Sequence, residues 1–217
     1  MKDYTDPTLQ ALARRVLDIS YRHKLSHIGS CLTALPILYE IYSIKKPEDR
    51  VVLSAGHSGL AMYVVLEHFK LLPDAEATLV RDGIHPVRNE AEHIDCSTGS
   101  LGQGITVAVG MALAQPERCV YVVSTDGEMA EGAWWESLYF TDSRLTNLHV
   151  HVNANGYTAL GRAPLGLLCY FRGVTIHQNT DIDYLPYHLP WFQGLEPHYH
   201  VMTEAEYHEL DDYYAAL

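Results

Sequence analysis

The segment from Cys119 to Asn155 constrains the fold more than any other part of the chain. It opens with C-V-Y-V-V at 119–123, a short β-branched run typical of a strand buried on both faces of a sheet. Residues 129–140 contain no proline and a single glycine, which favours a helix, and residues 148–152 predict a second strand. The order strand, helix, strand predicts one βαβ unit with parallel strands.

Two polar residues follow these two predicted strands. Asp126 lies in S-T-D-G-E at 124–128, and Asn155 lies in N-A-N-G at 153–156. Because the carboxyl ends of parallel strands meet at one edge of a sheet, we expect the carboxylate and the amide to lie close together. Hard oxygen ligands beside a glycine suit Mg²⁺ that carries a diphosphate. An Asx turn at each strand end is the alternative interpretation of either residue alone.

The spacing of Asp126 and Asn155 resembles the thiamine diphosphate signature of the transketolase family, which is G-D-G followed one βαβ unit later by N. The resemblance implies that Asp126, Asn155 and the backbone carbonyl of Tyr157 bind Mg²⁺, or Ca²⁺ or Mn²⁺ in its place. It also implies that Gly127 contacts the diphosphate. Thr125 departs from the signature because it replaces the first glycine, and we expect its side chain to crowd the diphosphate.

Further segments resemble the family and occur in its order. They are L-S-H-I-G-S at 25–30, V-L-S-A-G-H-S-G at 52–59, H-P at 85–86 and S-T-G-S-L-G-Q-G at 97–104. The resemblance implies that three histidines act in catalysis by lining the substrate channel and the diphosphate, namely His27, His57 and His85, with His57 also contacting the cofactor. It implies that a loop contacts the aminopyrimidine ring through Gly99, Ser100 and Leu101.

Glu131 follows the Asp126-Gly127 pair at the start of the predicted helix. A negative charge there stabilises a helix N-terminus, which is one interpretation. The resemblance implies another, because the matching glutamate of the family lies at the dimer interface and couples two active sites.

Alternating strands and helices predict a three-layer α/β/α sandwich around a mostly parallel sheet. We expect helices over 8–21, 32–42, 59–71 and 102–114, a strand over 50–54, and a polar connection with a short helix over 73–95. The thiamine diphosphate-binding part is expected at 1–161. Residues 162–217 are expected to belong to the same domain. Four prolines and several aromatic residues at 162–200 indicate an irregular arm with room for one strand, followed by an acidic helix from about Thr203.

Composition narrows the class of protein. A net charge of −12 with only 15 lysines and arginines in 217 residues argues against a nucleic-acid-binding surface. No apolar run is long enough for a membrane span, and no signal peptide is recognised. The four cysteines lack a C-x-x-C pair, which predicts reduced thiols in a cytoplasmic protein. The last thirty residues carry His188, His198, His200 and His208, for which we expect a pH-sensitive surface rather than a metal site.

Nothing after residue 160 resembles the second transketolase domain, which supplies the glutamate that activates the cofactor. We therefore expect the N-terminal subunit of a split transketolase-type enzyme, completed by a separate pyrimidine-binding C-terminal subunit in an α₂β₂ assembly. The resemblance implies transfer of a two-carbon ketol unit between sugar phosphates. Two alternatives stay open: a subunit of a deoxyxylulose-phosphate synthase-like or 2-oxoacid dehydrogenase-like enzyme, and a non-catalytic cofactor-binding remnant of the fold.

Overall fold

A computed structural model describes residues 4–141, 144–158, 161–178, 189–192 and 196–217. Its helices are α1 (Pro7–Arg22), α2 (Ile28–Ile44), α3 (Gly59–His68), α4 (Ala75–Asp82), α5 (Gln103–Ala114), α6 (Gly132–Thr141), α7 (Glu196–Tyr199) and α8 (Glu204–Ala216). Its strands are β1 (Arg50–Leu53), β2 (Val120–Thr125), β3 (Leu148–Ala154), β4 (Tyr157–Thr158), β5 (Gly161–Arg162) and β6 (Val174–Gln178). Short 3₁₀ turns link several of these elements.

Four strands form one parallel sheet in the order β1-β2-β3-β6. The central strands are rich in β-branched residues, which suit a pleated surface covered on both sides. In the β2–β3 pair, Val122 lies opposite Val150 and Thr125 lies opposite Asn153. All four strands therefore end at the same edge of the sheet. Separately, β4 and β5 pair as a small antiparallel hairpin just beyond β3.

Helices cover both faces of the sheet. One apolar cluster joins Val51, Leu53 and Val123 to α1, α2 and α3. The other joins Val52, Val122 and other sheet residues to α5 and α6, where Trp134 is fully buried. Alternate residues of one strand thus enter opposite cores, as the period of two in a strand requires. This arrangement confirms the predicted α/β sandwich around a parallel sheet.

Local signals explain where the outer helices begin. The Asp6 carboxylate accepts a hydrogen bond from the backbone N–H of Thr8 at 2.8 Å, and Pro7 occupies the first turn of α1. At the other end of the chain, Thr203 and Glu206 form a capping box for α8. The two helices pack together, and Arg14 forms a bidentate ion pair with Asp211. The C-terminal helix is therefore part of the layer formed by α1.

Several predicted elements differ from the structure. The helix predicted over 129–140 begins later, because residues Asp126–Ala130 form a 3₁₀ turn before α6. The helix predicted over 32–42 is longer, because α2 extends from Ile28 to Ile44. It tolerates Pro36 in its interior and is buried on nearly all sides. Cys119, predicted inside the buried strand, precedes β2 and is half-buried. Beyond residue 162, the predicted arm contains a strand, β6, which the sequence allowed for without locating it.

Within the described ranges, no helix combines the length and the apolar character that crossing a bilayer would need.

Candidate functional site

The candidate site lies at the carboxyl edge of the parallel sheet. Ser54 follows β1, Asp126 follows β2, and Asn155 follows β3. In open α/β sheets this edge is where ligands bind, because the loops that leave the strands surround a crevice there. The structure therefore brings the two predicted strand-end residues to the location that the sequence indicated.

The Asp126 side chain is hydrogen-bonded to the backbone at Asn155. The Oδ2 atom of Asp126 accepts hydrogen bonds from the N–H of Asn155 at 2.9 Å and of Gly156 at 2.6 Å. Asp126 is only 3% exposed, whereas Gly127 and Asn155 are half-buried. A buried carboxylate thus fixes the turn that follows β3 against the turn that follows β2.

The residues at this edge fit a magnesium ion and a diphosphate. Asp126 and Asn155 offer oxygen donors, the ligands that Mg²⁺ prefers, and Tyr157 begins β4 directly after them. In the described part of the chain, a Cβ atom added to Gly127 would meet only Thr125 Oγ1, at 3.4 Å, so this side of the turn is open there. Among the described residues, no group of three or more His, Cys, Asp or Glu side chains is arranged as a metal site. The candidate set uses instead one carboxylate, one amide and a backbone carbonyl.

Thr125 replaces the family glycine without backbone strain. Its φ of −121° and ψ of 161° are ordinary extended values that any residue adopts. The 3.4 Å separation above places its hydroxyl beside Gly127, where the diphosphate is expected. The predicted crowding by Thr125 stays a prediction.

The loop from Gly99 to Gly102 packs tightly onto the turn that carries His57. A Cβ atom at Gly56 would lie 2.7 Å from the Gly99 nitrogen, and one at Gly99 would lie 3.1 Å from the His85 ring. Gly99 and Gly102 have φ angles of 156° and 76°, in the region that favours glycine. These close approaches hold the loop in place, with Ser100 exposed and Leu101 half-buried at its tip.

Three imidazole rings form a cluster near the start of α2. The ring centroids of His27 and His198 lie 4.2 Å apart, those of His57 and His198 lie 5.2 Å apart, and those of His27 and His57 lie 5.4 Å apart. His85 is close enough to affect the electrostatics of His27 and His57. The structure therefore brings His27 and His57 together, adds His198, and places the His85 ring nearby, beside Gly99.

Burial makes this cluster neutral at physiological pH. Desolvation lowers the pKa of His27 to about 4, with smaller contributions from His198 and His85. It lowers the pKa of His57 to about 3, again with the neighbouring histidines adding to the effect. Burial also lowers the pKa of His198. Neutral imidazoles of this kind accept as well as donate hydrogen bonds, which suits contacts with sugar hydroxyls.

The cluster is held by the backbone around α2. His27 has a left-handed conformation with φ of 66°, and its N–H donates to the carbonyl oxygen of His198 at 3.1 Å. Its Nδ1 atom lies 2.6 Å from Ser26 Oγ, and His198 Nδ1 lies 3.3 Å from Ser30 Oγ. Hydroxyl groups at the start of α2 thus orient two of the rings.

Sequence reasoning misses the role of two residues in this region. It predicts a pH-sensitive surface at His198, but this residue is half-buried in the histidine cluster, while His188 lies outside the described residues. No local pattern marks His198, because α7 is placed by contacts with distant parts of the chain. Glu128 is fully buried between the loops of the site. Burial raises the pKa of Glu128, and four hydrogen bonds oppose that shift.

Glu131 lies at the rim of the site. Its side chain is exposed, and a Cβ atom at Gly102 would meet the Glu131 Cβ at 2.7 Å. It is therefore next to the Gly99–Gly102 loop (the glycine loop), on a surface that is open to contact by another protein chain.

A parallel α/β sheet with Asp126, Asn155 and an imidazole cluster at its carboxyl edge is consistent with a thiamine diphosphate-binding fold. The family described as the thiamine diphosphate-binding domain of transketolase matches residues 16–163. The chain belongs to the transketolase family and includes its cofactor-binding domain.

Relatives include both whole transketolases and subunits. An apulose-4-phosphate transketolase subunit of Phocaeicola vulgatus is 35% identical over 65% of this chain and 57% of its own length. A 6-deoxy-6-sulfo-D-fructose transketolase subunit of a Clostridium species is 37% identical over 55% of this chain and 50% of its own length. Human transketolase is 32% identical over 76% of this chain, which corresponds to 31% of the human protein. The chain thus spans about a third of that transketolase and about half of each of the two smaller relatives.

Proposed function

We propose that this chain is the N-terminal subunit of a split transketolase-type enzyme. It binds Mg²⁺ and thiamine diphosphate and, with a separate pyrimidine-binding subunit, transfers a two-carbon ketol unit between sugar phosphates. One observation carries this proposal. The hydrogen-bonded turns of Asp126 and Asn155 and the histidine cluster lie at the same edge of the sheet. The names of the two subunit relatives support a divided enzyme.

The residues of the site divide the work by their chemistry. Asp126, Asn155 and the Tyr157 carbonyl would hold the metal ion, and the open side of Gly127 would admit the diphosphate. Gly99, Ser100 and Leu101 would contact the aminopyrimidine ring. Thiamine diphosphate, when bound, would supply the carbanion chemistry needed for transfer of a ketol unit.

The histidines would act on the substrate side of the cofactor. Because the pKa values of His27 and His57 are lowered to about 4 and about 3, both rings are neutral near pH 7 and would accept hydrogen bonds from substrate hydroxyls. Nδ1 of His27 is hydrogen-bonded to Ser26, so a contact between His27 and the substrate would use Nε2.

Cofactor binding tests the proposal directly. Isothermal titration of thiamine diphosphate and Mg²⁺ should show binding by the wild-type complex and none by Asp126→Asn, which removes the charge but keeps an oxygen acceptor. Asp95→Asn is the matched control, because Asp95 is a buried carboxylate that binds Arg50 and the Val51 N–H near the opposite end of β1. Unchanged binding by Asp126→Asn would refute the site.

The proposed partner is tested by affinity purification of the tagged chain from its native cells, followed by mass spectrometry. A stoichiometric protein with a pyrimidine-binding domain is the expected result. Recovery of the chain alone would refute the two-subunit assembly, and a non-catalytic remnant of the fold would then be favoured.

A further inference from the structure

Glu128 is a buried carboxylate that neither the signature nor the proposed function uses. It is 0% exposed, and among the described residues no basic side chain forms an ion pair with it. Burying a carboxylate is costly unless hydrogen bonds replace its water shell. Its partners therefore show what the residue does.

Four neutral donors reach the Glu128 carboxylate from three segments. Oε1 accepts from Ser54 Oγ at 2.6 Å and from the Gly102 N–H at 2.9 Å. Oε2 accepts from Ser124 Oγ at 2.7 Å and from the Thr125 N–H at 3.1 Å. One side chain thus connects the end of β1, the glycine loop and the end of β2.

The network extends further into the core. The indole N–H of Trp134, on α6, donates to Ser124 Oγ at 2.8 Å, and Ser124 in turn donates to Glu128. On the opposite side, a Cβ atom at Gly104 would lie 2.6 Å from Ser54, so α5 approaches Ser54 closely. The three segments are held by packing as well as by hydrogen bonds, and Glu128 is their common acceptor.

These contacts place Glu128 between the two halves of the cofactor site. The Gly99–Gly102 loop is expected to meet the aminopyrimidine ring, and the Asp126–Gly127 turn is expected to meet the diphosphate. We infer that Glu128 is a positioning residue that fixes the distance between these two loops and thereby sets the affinity for thiamine diphosphate. This inference rests on the proposed function.

Substitution by glutamine should separate positioning from simple stability. In Glu128→Gln one oxygen becomes an NH₂ donor that faces two further donors, so at least one contact is lost while the size is kept. Partners that orient metal ligands typically contribute about 10–100-fold in affinity, and we expect the dissociation constant for Mg²⁺ and thiamine diphosphate to rise by that factor. The Gly102 amide should also exchange its hydrogen faster, as measured by NMR.

Asn147→Ala provides a matched control elsewhere in the fold. The Asn147 side chain is also buried and donates to three backbone carbonyls, those of Ala112, Gln115 and Arg118, near the amino end of β2. It should lower the melting temperature without changing cofactor affinity, measured well below the melting transition. Ser54→Ala, which removes one donor and keeps the carboxylate, should weaken binding by a smaller factor and serves if Glu128→Gln does not fold.

The outcomes distinguish this inference from the proposed function. Failure of the wild-type complex to bind thiamine diphosphate would refute the proposed function and the inference with it. Wild-type binding with unchanged affinity in folded Glu128→Gln or Ser54→Ala would refute the inference alone. Equal weakening in Asn147→Ala would also overturn it, because the loss would then follow stability.

Discussion

The N–H of His27 donates a hydrogen bond to the carbonyl oxygen of His198 at 3.1 Å, and their rings meet edge to face. A residue near the C-terminus is therefore built into the start of α2, beside the loop that carries His57. The histidine cluster therefore includes a segment that lies beyond residue 163, where the family match ends.

His198→Asn should impair catalysis more than it impairs folding. The variant removes the imidazole that contacts both His27 and His57, and positioned acid–base groups contribute about 10²-fold or more to rate. Steady-state assays of the complex with sugar phosphates should show this loss in kcat/KM. His208→Asn is the control, because His208 is exposed on α8 and contacts only Tyr207 among the ring pairs of the described residues. Equal activity of the two variants would contradict the role of His198.

Stability should decrease as the pH falls from about 6.5 towards 4. Burial lowers the pKa of His151 and His177 to about 4, from an ordinary value of 6.5, and the two rings share a hydrogen bond at 3.0 Å. In this window the unfolded chain binds protons that the folded chain does not, so acid favours unfolding by at most about 1.4 kcal/mol per histidine and pH unit. Urea denaturation at several pH values measures the effect.

The double variant His151→Gln, His177→Gln isolates this pair from the histidines of the site. Its stability should vary less with pH between 6.5 and 4 than that of the wild type. An unchanged slope would show that other groups, such as His27 and His57, control acid unfolding.

Two glycines of α5 should respond oppositely to alanine. A Cβ atom at Gly104 would lie 2.6 Å from both the Cα and the Oγ of Ser54. One at Gly110 would meet no described residue within 4 Å. Gly104→Ala should destabilise the protein by about 1–3 kcal/mol through overpacking. Gly110→Ala should stabilise it by about 0.5–1 kcal/mol, because alanine has less backbone conformational freedom than glycine to lose when the chain folds. Thermal denaturation of the free chain tests both, and a loss of stability in Gly110→Ala would contradict the open space around it.

Glu131→Gln should weaken the association of the two proposed subunits and leave the fold intact. The side chain is exposed, and isolated surface substitutions change stability by only about 0.5 kcal/mol. Sedimentation of the reconstituted complex should show a higher dissociation constant. Glu136→Gln, another exposed glutamate of the same region, is the comparison. If both variants assemble like the wild type, the coupling role of Glu131 is wrong.

The sequence predicts those parts of the structure that depend on residues close together in the chain. The β-branched runs predicted β2 and β3, and the parallel arrangement then placed Asp126 and Asn155 at one edge. The predicted start of α6 was wrong because the Glu128 carboxylate turns back to the Thr125 N–H and favours a 3₁₀ turn. His198 and Glu128 could not be located, since their partners lie far away in the chain and only tertiary packing brings them together.

The pairing of β6 with β3 has a practical consequence for anyone who trims the chain to its recognisable part. From Val150 to Ala154, β3 is hydrogen-bonded to residues Val174–Gln178, which lie outside the matched region. A fragment ending near residue 163 would present that side of β3 bare, with its N–H and C=O groups available to the same strand of another molecule. Such edges recruit strands, so the shortened protein should form insoluble aggregates during expression.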